Sequence, residues 1–260
     1  MIGGKLATVV GLACVASIPA CTSARIDAGA PPTTAVHVRV YAAIGASETA
    51  GVGTHDPFRD AWPRVLWGSM PDGTVLYDFG VAGSTTAQAL REQLPQAVAV
   101  KPDVATIWLN VNDLIAGVPA ERYGRELERL VHALRDGGNT LVLVANTPEL
   151  ATLPLYRACR SDNGLFTTAL GDVVQCSQDI AAQLPKPAKV REAVAAYNRE
   201  IARVVAAEGA TLVDLNALGD VPTTHPAWVS DDGFHPSTDG AAAVARLFSD
   251  ALAAAGWDGT

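Results

Sequence analysis

Asp232-Gly233-Phe234-His235-Pro236, near the C-terminus, sets a carboxylate three residues before a histidine, between two turn-forming residues. A carboxylate within reach of an imidazole fixes its tautomer and stabilises the imidazolium formed when the histidine takes a proton. Such a pair needs a nucleophile. The best candidate is Ser47, near the other end of the chain in Ile44-Gly45-Ala46-Ser47-Glu48-Thr49. A serine hydroxyl is a weak nucleophile at its free pKa and is activated by an adjacent base. The chemistry on offer is acyl transfer, provided the fold brings the two ends together. Taken alone, Ser47 reads more readily as a turn serine capping a helix. Asp231 competes with Asp232 as the carboxylate. His225 is the rival histidine but has no acid three residues before it, His55 is placed to line a cleft, and His132 lies beside the apolar face of a helix.

The elements that must position these residues follow from hydrophobic patterning. Val38–Ile44, Thr74–Phe79, Val104–Leu109, Thr140–Ala145 and Thr211–Leu215 are mostly continuous apolar runs, as expected for strands covered on both faces. Helical periodicity lies between them. Tyr123, Leu127, Leu130, Val131 and Leu134 share one face before Gly137-Gly138; Val190, Val194, Tyr197, Ile201, Val204 and Val205 do so before Gly209. A last helix is predicted from about Ser237, burying Val244, Leu247, Phe248 and Leu252. Strands alternating with helices imply parallel βαβ units and a three-layer α/β/α sandwich. Ligands bind such sheets beyond the carboxyl ends of the strands. Ser47 follows the first strand, Gly83 the second (Gly80-Val81-Ala82-Gly83-Ser84-Thr85), Asn112 the third, and Asp232 and His235 the fifth.

These four blocks resemble those of the SGNH hydrolases, the GDSL-type esterases and lipases, over about residues 38–250. The resemblance implies a flavodoxin-like, five-stranded parallel sheet. It also implies Ser47 as nucleophile, His235 as base and Asp232, rather than Asp231, as the acid that orients it. The oxyanion donors carried over are the Ser47 and Gly83 backbone N–H groups and the Asn112 side chain. The expected activity is hydrolysis of acyl or acetyl esters through an acyl-enzyme, with no metal or organic cofactor. An acyltransferase on the same triad and an inactive envelope-binding lipoprotein are the alternatives. Two positions depart from the family pattern. Ala46 replaces the aspartate before the nucleophile, and Asn110 replaces a glycine two before Asn112; if that position needs positive φ, asparagine is the least costly substitute. Gly83 fits its role if the backbone must come close to a substrate. Gly51-Val52-Gly53 hints at a dinucleotide loop, but residue 56 is Asp, and no G-x-S-x-G elbow exists.

A chain of 260 residues suits one medium domain plus processing sequence, and 49% hydrophobic residues suffice for a full core. Net charge is −8; without the first twenty residues, whose one charged side chain is Lys5, it is −9. That balance argues against nucleic acid and anionic membrane surfaces as partners and does not identify a substrate; the family resemblance implies a small-molecule, glycan or lipid ester. Residues 1–20 read as a secretory signal: Lys5, an apolar run from Leu6 to Ile18, then Pro19-Ala20-Cys21. Ile18-Pro19-Ala20-Cys21 resembles a bacterial lipobox, which would make Cys21 a lipid anchor in the cell envelope; ordinary cleavage near Ala20 or Ala24 would give a secreted protein. Residues 21–36 read as a tether and 37–260 as the catalytic domain. Cys159 and Cys176, the two cysteines left after export, are expected to form a disulfide, against the alternative of two buried thiols. The irregular stretch 149–189 that holds them is either a wall of the substrate site or a surface excursion.

Overall fold

The computed structural model describes residues 39–257 except 137, 139, 162–163, 168–172 and 177–183. The expected signal, the candidate anchor Cys21 and the tether therefore lie outside the described residues. Strands β1 (Val40–Gly45), β2 (Val75–Asp78), β3 (Val104–Trp108) and β4 (Leu141–Ala145) lie in one parallel sheet. The short strands β5 (Leu165–Thr167) and β6 (Val173–Gln175) pair with each other as an antiparallel hairpin, and β7 (Thr211–Val213) completes the main sheet. Its order is β2-β1-β3-β4-β7, so each sheet strand expected from the sequence is present and differs only at its ends. The order reverses between β1 and β3, which makes the crevice above their carboxyl ends the place for a ligand.

Helices α1 (Pro57–Asp60) and α2 (Trp62–Trp67) follow β1; α3 (Thr86–Glu92) and α4 (Leu94–Ala99) follow β2; α5 (Val111–Ile115) and α6 (Ala120–Arg135) follow β3. After β4 come α7 (Pro154–Arg160) and α8 (Pro187–Glu208), and after β7 come α9 (Val221–Thr224) and α10 (Thr238–Ala254). Alternate residues of each strand feed opposite layers. Tyr41, Ala43, Trp108 and Leu143 pack with Trp62, Phe248 and Leu252 of α2 and α10. Ala42, Ile44, Ala105 and Ile107 pack with Tyr123, Leu127, Ile201 and Val204 of α6 and α8. Both faces are covered, which is why the strands are continuous apolar runs. Aromatic stacking joins the layers internally: the rings of Trp62 and Phe248 lie 4.2 Å apart and those of Tyr123 and Tyr197 4.5 Å apart. The buried faces of α6 and α8 are those set by periodicity, and α8 ends at Gly209 with φ +62. Ser237 caps α10, its hydroxyl accepting from the Gly240 N–H at 3.2 Å.

Cys159, at the end of α7, and Cys176, after β6, form a disulfide with Cα atoms 5.1 Å apart. Replacing both with serine should lower stability by about 3 kcal/mol, since the bridge closes a loop of 17 residues. A fall in the urea midpoint checks this; an unchanged midpoint would mean that the bridge constrains only a locally opening segment.

Candidate active site

The site is built on the loops at the carboxyl edge of the sheet, and a buried glutamine ties two of them together. Gln93, between α3 and α4, accepts from the Gly45 N–H at 3.0 Å and donates from Nε2 to the Gly45 carbonyl at 3.0 Å and to Ser84 Oγ at 3.1 Å. The end of β1 and the loop after β2 thus share one side chain that bonds both. Ser47 follows directly and is only 8% exposed. Its carbonyl accepts from the Val52 N–H at 2.9 Å, closing a turn. The Ser47 and Gly83 N–H groups donate to no acceptor among the described residues.

Gly83 has φ +80, and a Cβ built there would meet nothing within 4 Å. Glycine is thus required by the left-handed backbone, and the space in front of it is open rather than crowded by protein. Asn112 lies in the first turn of α5, and its Nδ2 donates to the Ser84 carbonyl at 3.1 Å. An amide NH2 has two protons, so one is left over from that bond. Asn110 has φ −169, extended backbone open to any residue, so the positive-φ condition does not arise. Instead its buried side chain donates to the Ala145 carbonyl at 3.3 Å and joins the ends of β3 and β4. Ala46 is buried and packs in the α6/α8 layer. An ionised aspartate there would need a partner that this apolar setting does not supply.

On the loop after β7, Asp232 and His235 are in direct contact. Asp232 Oδ2 lies 2.6 Å from His235 Nδ1. Its Oδ1 accepts from Ser230 Oγ at 2.7 Å and from the Phe234 and His235 N–H groups at 2.8 and 2.9 Å. Burial raises the Asp232 carboxyl, but these bonds, the one to His235 foremost, outweigh it and hold the group well below the usual carboxylate range. For His235, burial works against the cation, yet the bond and charge of Asp232, with a contribution from Glu48, carry the imidazole above its ordinary 6.5. A base of this kind acts only when neutral, so the acid limb of kcat/KM should lie above pH 6.5.

The two chain ends meet through Gly53. A Cβ there, at φ +93, would come within 2.7 Å of His235 Cβ and 2.6 Å of the Pro236 carbonyl. Nearby, the His55 N–H donates to Thr238 Oγ1 at 2.9 Å. The 149–189 stretch also reaches the site, with the Leu155 N–H at the start of α7 donating to the Gly233 carbonyl at 3.0 Å. Glu149, Leu150 and Leu153 help to line a cavity of about 80 Å³ with Trp108, Phe234 and His235. Those residues are therefore wall as well as brace. His225 instead stacks on Trp228 at 3.9 Å, and exposed His132 pairs with Glu208 at 3.1 Å.

Three participants escaped the sequence reading. Gln93 and Leu155 act through backbone groups far away in the chain, which no local pattern announces. Glu48 was visible as the neighbour of the candidate nucleophile. It is buried, lines the cavity, and its Oε2 accepts from Ser47 Oγ at 3.3 Å.

Residues 43–243 match the GDSL-like Lipase/Acylhydrolase family. An acetylxylan esterase of Xylanibacter ruminicola is 28% identical over 242 residues, which cover 86% of this chain and 44% of the relative. This chain thus spans less than half the length of that relative. The crystal structure of TesA superposes with a TM-score of 0.59 at 21% identity, covering 82% of this chain and 97% of the other. A catalytic mutant of an acetylxylan esterase from Geobacillus stearothermophilus does so with a TM-score of 0.58 at 18% identity, covering 82% and 94%. These likenesses agree in fold, and the family match takes in each of the four blocks, from Ser47 to His235. The chain belongs to the GDSL-like lipase/acylhydrolase family.

Proposed function

We propose that this esterase cleaves carboxylic esters through an acyl-enzyme formed on Ser47. The observation that carries the reading is the 2.6 Å Asp232–His235 pair on a loop pressed against the one that bears Ser47. His235 takes the Ser47 proton as the hydroxyl attacks the ester carbonyl, then returns it to the leaving alcohol; water repeats the sequence to release the acid. Asp232 keeps the His235 Nδ1 proton in place and stabilises the imidazolium. The tetrahedral oxyanion is received by the unengaged N–H groups of Ser47 and Gly83 and by the second Asn112 amide proton. Asn112→Ala should cost roughly 10²–10³ in kcat with little change in KM. An unchanged kcat would remove Asn112 from the oxyanion site.

The substrate class we propose is short acyl esters, acetyl groups on carbohydrate foremost. Support comes from the acetylxylan esterases among the relatives. A panel of p-nitrophenyl esters tests this: kcat/KM should be highest for acetate and fall steeply beyond butyrate. Preference for long chains would refute it. We further propose that the protein works outside the cytoplasm, released by cleavage of residues 1–20 or anchored through Cys21. The Cys159–Cys176 disulfide supports an oxidising compartment.

A further inference from the structure

Glu48 has no place in the mechanism above, yet its surroundings are unusual for a carboxylate. It is 8% exposed and forms no ion pair with lysine or arginine among the described residues. Uncompensated buried charge is costly, so a carboxylate in such a position needs a cationic counterpart or a proton. The cavity it faces is walled by Trp108, Val111, Leu150 and Leu215 and carries no basic side chain other than His235. The groups around it that bear or accept charge are few. Ser47 is its sequence neighbour and bonds to it; His235 and Asp232 act on it from the loop after β7; Glu149 enters the same cavity from the loop after β4 but is occupied in capping the Ala151 N–H at 3.1 Å.

The cationic partner available to Glu48 is therefore protonated His235, which forms during turnover while the ring holds the proton of Ser47. We propose that Glu48 is a second carboxylate acting on His235, a positioning residue that holds the Ser47 hydroxyl in the resting enzyme and stabilises the His235 cation from the nucleophile's side during turnover. The inference rests on the Ser47–His235 reading of the reaction. The geometry gives Glu48 both tasks, because one carboxylate reaches Ser47 Oγ at 3.3 Å and lines the same cavity as His235. The electrostatics agree. Burial pushes the Glu48 carboxyl up, its own backbone amide, His235 and Ser47 draw it back, and its charge in turn helps to raise His235. Asp232 fixes the ring from the Nδ1 side; Glu48 adds a second negative charge on the side where Ser47 lies.

The test is the pH profile of kcat/KM with p-nitrophenyl acetate for the wild type, Glu48→Gln and Glu48→Asp, with Ser47→Ala as reference. Glu48→Gln removes the charge and keeps the shape, so its acid limb should move to lower pH, with kcat down roughly 3- to 10-fold. Glu48→Asp keeps the charge but shortens the reach, so its limb should stay near that of the wild type while kcat falls. An acid limb in Glu48→Gln that coincides with the wild type would overturn the proposal, because a structural role alone does not move His235. If Glu48→Gln does not fold, an NMR titration of His235 in Glu48→Ala, which removes the charge without burying an amide, is set against the wild type. A lower His235 midpoint in Glu48→Ala is expected, and an identical midpoint would overturn the idea. Failure of the underlying reaction is distinguishable, since in that case Ser47→Ala itself would stay active.

Discussion

Ser47→Ala is expected to reduce turnover of p-nitrophenyl acetate by about 10⁵–10⁶-fold, to the level left by binding and the oxyanion donors. The size follows from what is lost. The Ser47 hydroxyl is the group that forms the acyl-enzyme, so its loss closes the covalent path rather than slowing it. Stability should hardly change. The Ser47 hydroxyl bonds to one side chain, Glu48, at 3.3 Å, and an exchange of that kind alters stability by about 1 kcal/mol. Thermal unfolding run beside the kinetics separates the two effects: dead and folded supports the nucleophile, whereas dead and unfolded calls for Ser47→Cys or Ser47→Gly instead. Retained activity in a folded Ser47→Ala protein would end the reading.

The second large effect is expected at Asp232. Asp232→Asn should lower kcat by roughly 10⁴. Oδ1 of the new side chain can still accept from Ser230 and from the Phe234 and His235 N–H groups, so the loop keeps its shape. The atom 2.6 Å from His235 Nδ1 becomes an NH2 donor, and the ring must then accept at Nδ1 and carry its proton on Nε2, the nitrogen needed as base. The base points the wrong way. Loss of the carboxylate also removes the main support of the His235 cation, so the residual acid limb should move to lower pH. The consequence for stability has a definite sign. Because the folded Asp232 carboxyl is depressed, its contribution is present above its unfolded value near 3.9 and lost as pH falls through the folded value. Asp232→Asn should therefore be less sensitive to acid than the wild type below about pH 4. A kcat within tenfold of wild type would show that Asp232 does not orient His235.

Much of this arrangement is legible in the chain itself. Strands covered on both faces need continuous apolar runs, and Val104–Trp108 and Leu141–Ala145 could be located on that ground alone. Helices α6 and α8 are equally plain, because each packs a single face against the sheet. Once the strands are placed, Ser47, Gly83, Asn112 and His235 must gather at one edge. What stayed hidden depends on contacts between segments distant in sequence. The β5–β6 hairpin has strands of three residues, too short for a period to declare itself. Gln93 reads as an ordinary helix residue, and only the fold shows it bonded across 48 residues to both backbone groups of Gly45. Asn110 shows the limit of reasoning by family pattern. The glycine it replaces suggested a strained backbone, whereas the chain is extended there and uses the amide to join two strands. Glu48 was hidden in plain view, since a carboxylate beside a serine is unremarkable until it is found buried in the cavity that His235 also lines.

Whether Ser47 is a nucleophile activated by His235 can be read in a single reaction. A fluorophosphonate phosphonylates a serine hydroxyl whose proton is being taken by a base, with loss of fluoride, and leaves turn serines untouched. Incubation of the full chain followed by peptide mass mapping should give one adduct per molecule on Ser47. It should be absent in Ser47→Ala and should form more slowly as pH falls below the His235 acid limb. A folded protein that forms no adduct, or one that carries it on another residue, would contradict the account.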